Sequence, residues 1–346
     1  MNERRKLSQT GEEVGLRPGK CEEKTATGPL CSLHPFISII LCTNGIRSTL
    51  MRCLELLAAQ DCRRFEIILV LNGPPDETFA RTVAHFPVRL LNEPRRGVCN
   101  ARNHAIPLAK GEILAFVDDD VLTDPNWLHE LVKGFEDPAV ACVTGRVIPA
   151  GRLYLASERA DRYYASERAL TLWSLDASDP NWYQYILGEP VGFGCNMAFR
   201  KSFLENDSLF PGDLGAGSLI GGGDEFYMFV QVLKRGFRIQ HVPTAAVTHL
   251  FEFDVGKQRV RDAQLYAGSV AFALKLFTEE KTLRWATFKW LLSGFKRRVR
   301  HILAQKAISS EPQELLSPRE KLHAYLRGLQ VFWKWRRNRD SAALRP

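Results

Sequence analysis

The sequence predicts an α/β protein with a mostly parallel central sheet, helices on both faces of it and a C-terminal helical extension. Three observations carry this expectation: short apolar runs at 36–42, 66–71 and 113–117, helical periodicity between them, and a long amphipathic stretch after residue 281. Strand and helix alternate four times, as in parallel crossover units. In such sheets ligands sit beyond the carboxyl ends of the strands.

Residues 1–34 are rich in Glu, Lys, Gly and Thr and show no apolar period, so a mobile leader is expected there. The run from Phe36 to Cys42 reads as a strand buried on both faces, and 47–60 as a helix carrying Leu50, Leu54, Leu57 and Ala58. A second strand over 66–71 ends at Asn72-Gly73-Pro74-Pro75, which is strong turn chemistry. A helix over 76–85, a strand at 88–91, a helix over 98–108 and a strand at 113–117 follow. Asp124 and Pro125 have the chemistry of an N-cap and a first helical residue, which predicts a helix from there to about Phe135. Residues 139–150 read as a strand. The aromatic stretch 151–190 lacks a period and is where a substrate surface could be built. A helix over 224–235 and a strand near 245–249 complete this part.

The 346 residues are 45% apolar and 25% charged, a globular composition long enough for one large domain or two smaller ones. The net charge of +8 is unevenly placed: residues 281–346 hold 16 Lys and Arg against 4 Asp and Glu, which leaves 1–280 mildly acidic. Eight cysteines include no Cys-x-x-Cys pair, so a structural zinc site is not expected. No apolar stretch fits a secretory signal or a membrane span, and the chain reads as a cytosolic protein with reduced thiols.

Asp118-Asp119-Asp120 stands at the end of the 113–117 strand, on the expected ligand face. Three adjacent carboxylates repel one another, and a bound magnesium-like cation would relieve them; a solvated acidic turn is the plainer alternative. Upstream, Arg95-Arg96-Gly97 opens the helix that carries Arg102 and Asn103, a natural anion cradle or simply an exposed basic helix start. Asp224-Glu225 follows Gly221-Gly222-Gly223; either carboxylate could cap the helix, and one could act as a general base. His249 is a candidate third metal ligand or an ordinary hydrogen-bonded histidine. The glycines at 215–221 have the wrong spacing for a dinucleotide fingerprint and follow no apolar strand, which excludes a Rossmann oxidoreductase.

Together these motifs resemble the family 2 glycosyltransferases of GT-A fold, over roughly residues 35–255. The resemblance rests on Cys42-Thr43-Asn44, on Gly97 to Asn103, on Gly111-Glu112 leading to Asp118-Asp119-Asp120, on Gly194-Cys195-Asn196 and its continuation to Arg200, and on Gly222-Gly223-Asp224-Glu225. It implies a nucleotide-sugar half over 35–122 and an acceptor half over 123–255. It further implies a nucleotide diphosphate sugar bound by Thr43, Asn44, Asn72, Arg96, Gly97, Arg102, Asn103, Asp118 and Asp119. Gly194, Cys195 and Asn196 would face the sugar or acceptor. A divalent cation, Mg2+ or Mn2+, would be held by Asp120 and Asp118 with His249. Transfer would be inverting, with Glu225 ahead of Asp224 as catalytic base. Two departures stand out. Asn72 replaces a frequent acidic residue, which leaves the nucleotide open, and the usual Glu-Asp order is reversed at 224–225.

The remaining segment, 256–346, reads as a basic amphipathic helical tail. Phe288, Leu291, Leu292, Phe295 and Val299 recur at helical spacing, and Ser317-Pro318-Arg319-Glu320 has capping-box spacing. Four of the seven tryptophans lie in this tail. It suits either an anionic membrane surface, with the protein peripheral on the inner face of the cell membrane, or packing on the catalytic domain. Nucleic acid is not expected, since no recognised module accompanies the charge. A glycan or lipid-linked acceptor is expected. Nucleotidyl transfer and a non-catalytic nucleotide-sugar-binding scaffold are the competing readings.

Overall fold

The computed structural model describes residues 35–62, 64–150, 166–180, 182–188, 191–205, 209–250, 254–304 and 316–343. The expected leader and the tyrosines at 154, 163 and 164 lie outside them. Strands β1 (Ile37–Thr43), β2 (Phe65–Leu71), β3 (Val88–Asn92) and β4 (Ile113–Asp118) are parallel, ordered β3-β2-β1-β4. Each is linked to the next through a helix: α1 (Ser48–Ala58), α2 (Glu77–Val83) and α3 (Val98–Ala105). Where a continuous helix over 98–108 is expected, α3 gives way to a 3-10 turn at Ile106–Leu108, because Pro107 has no N–H to continue the ladder.

The sheet continues through β8 (Asn196–Arg200), antiparallel to β4, and β6 (Val140–Ala150), then β9 (Arg238–Leu250), with β5 (Val121–Thr123) on the far edge and β7 (Trp173–Leu175) also paired to β9. The expected helix from Asp124 starts later. Strand β5 consumes 121–123, the Asp124 carbonyl accepts from Gln60 Nε2 (2.7 Å) and from the Trp127 N–H (3.0 Å), and α4 (Trp127–Lys133) begins after that turn. Short helices α5 (Glu167–Leu170), α6 (Trp182–Gly188) and α7 (Lys201–Glu205) precede α8 (Asp224–Lys234).

Alternate residues of the central strands feed two separate cores, as period-2 geometry requires. Ile39, Leu41, Leu69 and Val117 pack with Leu50, Leu54, Phe79 and Trp127 on one face, whereas Ile40, Val70, Phe116 and Phe199 pack with Ala101, Phe229 and Phe272 on the other. Phe272 belongs to α9 (Val255–Glu279), followed by α10 (Arg284–Ala304) and α11 (Pro318–Ala343). The capping box forms as expected: Ser317 N–H donates to Glu320 Oε2 (2.9 Å) and Glu320 N–H to Ser317 Oγ (3.3 Å).

Helix α9 explains Gly223, the last glycine ahead of α8. Gly223 is left-handed at φ 84°, and a Cβ there would lie 2.6 Å from the Phe272 ring; a Cβ on Gly268 would lie 3.3 Å from the Gly221 carbonyl carbon. The close approach that Gly223 permits is thus made by the chain's own helix. Gly223→Ala is expected to cost ~2–4 kcal/mol, combining a left-handed backbone with overpacking, read as a lower urea midpoint.

Candidate active site

The parallel strands end at one edge, and register aligns their last residues: Cys42 is level with Asp118 and Thr43 with Leu71. Because β8 runs the other way, it delivers its first residues to the same edge, with Asn196 opposite Val117. Pairing of Val121 with His249 adds the end of β9.

Thr43 Oγ1 donates to Asp119 Oδ2 (2.5 Å), and Asn44 Oδ1 accepts from Arg47 (2.9 Å). The Asn72 amide is fully engaged. Its Nδ2 donates to the carbonyls of Glu93 (3.0 Å) and Arg95 (2.7 Å), and its Oδ1 accepts from Gly97 N–H (2.9 Å). Asn72 therefore shapes the 93–97 loop in front of α3. Arg96 is exposed on that loop, whereas Gly97, at φ 119°, is buried, and the Val98 N–H at the start of α3 donates to the Ala216 carbonyl (3.0 Å).

Arg102 is buried under the rings of Phe116 and Phe210, at 5.8 and 5.3 Å from their centroids. Its guanidinium meets Asp224 Oδ2 at 2.5 Å, Asp118 Oδ1 at 3.5 Å and the Gly194 carbonyl at 3.1 Å. Expected beside ribose and phosphates, Arg102 instead ties together β4, the approach to β8 and the start of α8. Asn103 also turns inward, exchanging hydrogen bonds with the Phe210 backbone at 2.7 and 3.0 Å. Asn196 accepts from Trp127 Nε1 (3.0 Å) and donates to the Arg146 (2.9 Å) and Ala245 (2.8 Å) carbonyls, so it clamps three strands from within the core.

The acidic triplet divides its work. The Asp118 side chain is 39% exposed at the strand ends. Asp119, held by Thr43, has its carboxyl pushed up by burial against the lowering effect of that hydrogen bond. Asp120 is partly buried; Oδ1 has no hydrogen-bond partner and lies 3.4 Å from His249 Nε2. Burial, and next Asp118, push the Asp120 carboxyl up to about 6, and burial pushes the His249 imidazole down to about 4, against the pull of Asp118. A neutral imidazole beside Asp120, whose Oδ1 makes no hydrogen bond, and Asp118, whose cation Arg102 is 3.5 Å away and shared with Asp224, fits a divalent cation. Ligand atoms of Asp118, His249 and Cys195 lie within 4.8 Å of one another. Cys195, expected at the sugar, thus joins the candidate metal cluster; only the antiparallel course of β8 brings it there, which no sequence spacing announces. Burial pushes its thiol well up, so a hard cation would favour the carboxylates and the imidazole.

At the head of α8 the two carboxylates are unequal. Asp224 is buried and committed to Arg102, while Glu225 is only partly buried. Burial and then the neighbouring Asp224 hold the Glu225 carboxyl well above the ordinary glutamate range.

The family model described as glycosyl transferase family 2 matches residues 38–207. That span includes the acidic triplet and Cys195 and stops before Asp224-Glu225. The chain is 22% identical over 280 residues to glucosyl-dolichyl phosphate glucuronosyltransferase of Haloferax volcanii, covering 78% of this chain and 79% of that one. It is 24% identical over 298 residues to glycosyltransferase AglE of the same organism, covering 80% and 86%. Among solved structures it resembles a mannosyltransferase of Pyrobaculum calidifontis in complex with GDP-Man and Mn2+, with a TM-score of 0.53 and 19% identity over 88% of this chain and 89% of that one.

A cation-linked ligand should stabilise the native state in proportion to its affinity. With Mn2+ present, one of the common nucleoside diphosphates is expected to raise Tm by several degrees, and Asp118→Asn or His249→Ala to abolish the cation-dependent part; differential scanning fluorimetry with and without chelator reads it.

Proposed function

Because this chain belongs to glycosyl transferase family 2 and has the GT-A fold, we propose that it moves a sugar from a nucleotide diphosphate sugar to a hydroxyl of a lipid-linked or polysaccharide acceptor, with inversion. The observation that supports this most is the convergence, around buried Arg102, of an acidic cluster at the strand ends and a carboxylate pair at a helix start. The likeness to an enzyme named for glucosyl-dolichyl phosphate favours a lipid-linked acceptor.

In this reading the donor lies across the ends of β1, β2 and β4, its base toward Thr43 and Asn44 and its diphosphate toward the exposed Arg96 ahead of α3. Asp118, Asp120 and His249 would hold Mg2+ or Mn2+, whose chemistry when bound is to offset charge on the departing nucleoside diphosphate. Glu225 accepts the acceptor proton as that oxygen attacks the anomeric carbon, and no covalent enzyme intermediate forms. Asp224 positions Glu225 and keeps its proton affinity high while itself remaining paired to Arg102.

Asp120→Ala is expected to abolish transfer. Glu225→Gln should lower kcat by 10²–10⁴-fold with donor binding largely kept, which distinguishes a proton acceptor from a binding group. Since Glu225 must be ionised to act and its pKa is raised, kcat/KM should fall as pH drops through the neutral range, well above the ~4.3 of an ordinary glutamate. Release of nucleoside diphosphate, followed over a panel of donors, is the readout. Normal turnover by Glu225→Gln, or release of inorganic diphosphate, would overturn the proposal.

A further inference from the structure

Helix α10 has two apolar faces, and only one is covered. Thr287 and Leu291 turn inward, where the Tyr325 hydroxyl of α11 donates to the Leu291 carbonyl (3.2 Å). Trp285, Phe288 and Leu292, spaced three and four apart on another arc of the same helix, are 65%, 44% and 40% exposed, and Phe295 at the edge of that arc is 39% exposed with its ring 5.7 Å from that of Tyr325. Trp285 and Phe288 stack at 5.7 Å, and the Lys289 ammonium sits 5.1 Å from the Trp285 ring. Lys289, Lys296 and Arg300 are exposed along the border of this arc. The sequence of α10 holds six Lys or Arg and no Asp or Glu. At its first turn, Arg284, Arg336 and Arg339 line an open cavity of about 290 Å³ with Phe277 and Thr278. Arg339 is shared with Glu279 (3.6 Å) and Asp340 (3.5 Å), and Arg336 with Asp340 (3.9 Å).

We propose that this face of α10 docks the protein onto an anionic lipid bilayer, with the aromatic stripe at the level of the acyl boundary and the lysines and arginines on the headgroups. The chemistry selects that occupant. Tryptophan beside lysine on a helix that lies in the interface plane is the composition a bilayer surface binds, with both apolar area and charge contributing. A second copy would set one basic face against another. Among the described residues no helix is long and apolar enough to cross a membrane, so the contact is a surface one. The inference is independent of the reading of the catalytic site.

Sedimentation of the full chain with vesicles tests it, using phosphatidylcholine alone and phosphatidylcholine with about 30% phosphatidylglycerol, at low and high salt. The anionic vesicles are expected to bind at least ~10-fold tighter, with affinity falling as salt rises. Lys289→Glu/Lys296→Glu should weaken binding roughly fivefold or more per lysine, and Trp285→Ser/Phe288→Ser about tenfold or more. Both pairs are exposed and outside the site, so activity on a water-soluble acceptor stays unchanged. Equal binding by the variants, equal binding to both vesicles, or no binding to either would overturn the proposal. So would a dimer that Trp285→Ser/Phe288→Ser dissolves while vesicles are not bound.

Discussion

A guanidinium sealed beneath two phenyl rings must find its counter-charge inside the protein, because leaving it alone in that environment would cost several kcal/mol. Arg102 finds it in Asp224 and, more distantly, in Asp118. Those two carboxylates stand at the end of β4 and the start of α8, so the arginine fixes one against the other. It also decides which member of the Asp224-Glu225 pair is committed. Asp224 faces the arginine, and Glu225 is left with a raised proton affinity.

Bringing α8 to that position requires backbone to lie against backbone. Gly268 of α9 supplies it against the Gly221 backbone, and Gly223 makes room for the Phe272 ring. Helix α11 braces the same region: Gly328 packs against Ala267 and Val270, and the Trp335 indole N–H reaches Asp213, which also receives Lys275 at 3.0 Å. Packing on the domain and an exposed apolar face, which stand as alternatives when only the periodicity of the tail is read, coexist in it. Trp335 is buried, Trp290 is packed, and Trp285 and Trp333 are exposed.

Much of this is legible in the sequence because the central strands are continuous apolar runs and because acidic residues at a strand end stand out chemically. What escapes reading is decided by contacts distant in the chain. Asp124-Pro125 has cap chemistry, yet Gln60 and β5 make it a turn. Strands β5 and β8 are short and carry no period of their own. Helix α9 has polar residues through its first half and glycine at 268, which dilutes its pattern. Asn72, Asn103, Arg102 and Asn196 have the residue types of ligand contacts, but each is buried against, or bonded to, protein partners that sequence does not reveal. Their motifs mark the site by building its walls.

The Arg102–Asp224 pair couples α3 to the start of α8, and a double-mutant cycle on stability measures that coupling directly. With Arg102→Met, Asp224→Leu and both together measured by urea unfolding, the account predicts a coupling of at least ~2 kcal/mol, the double variant being less destabilised than the sum of the singles. Additivity within about 0.5 kcal/mol would contradict it.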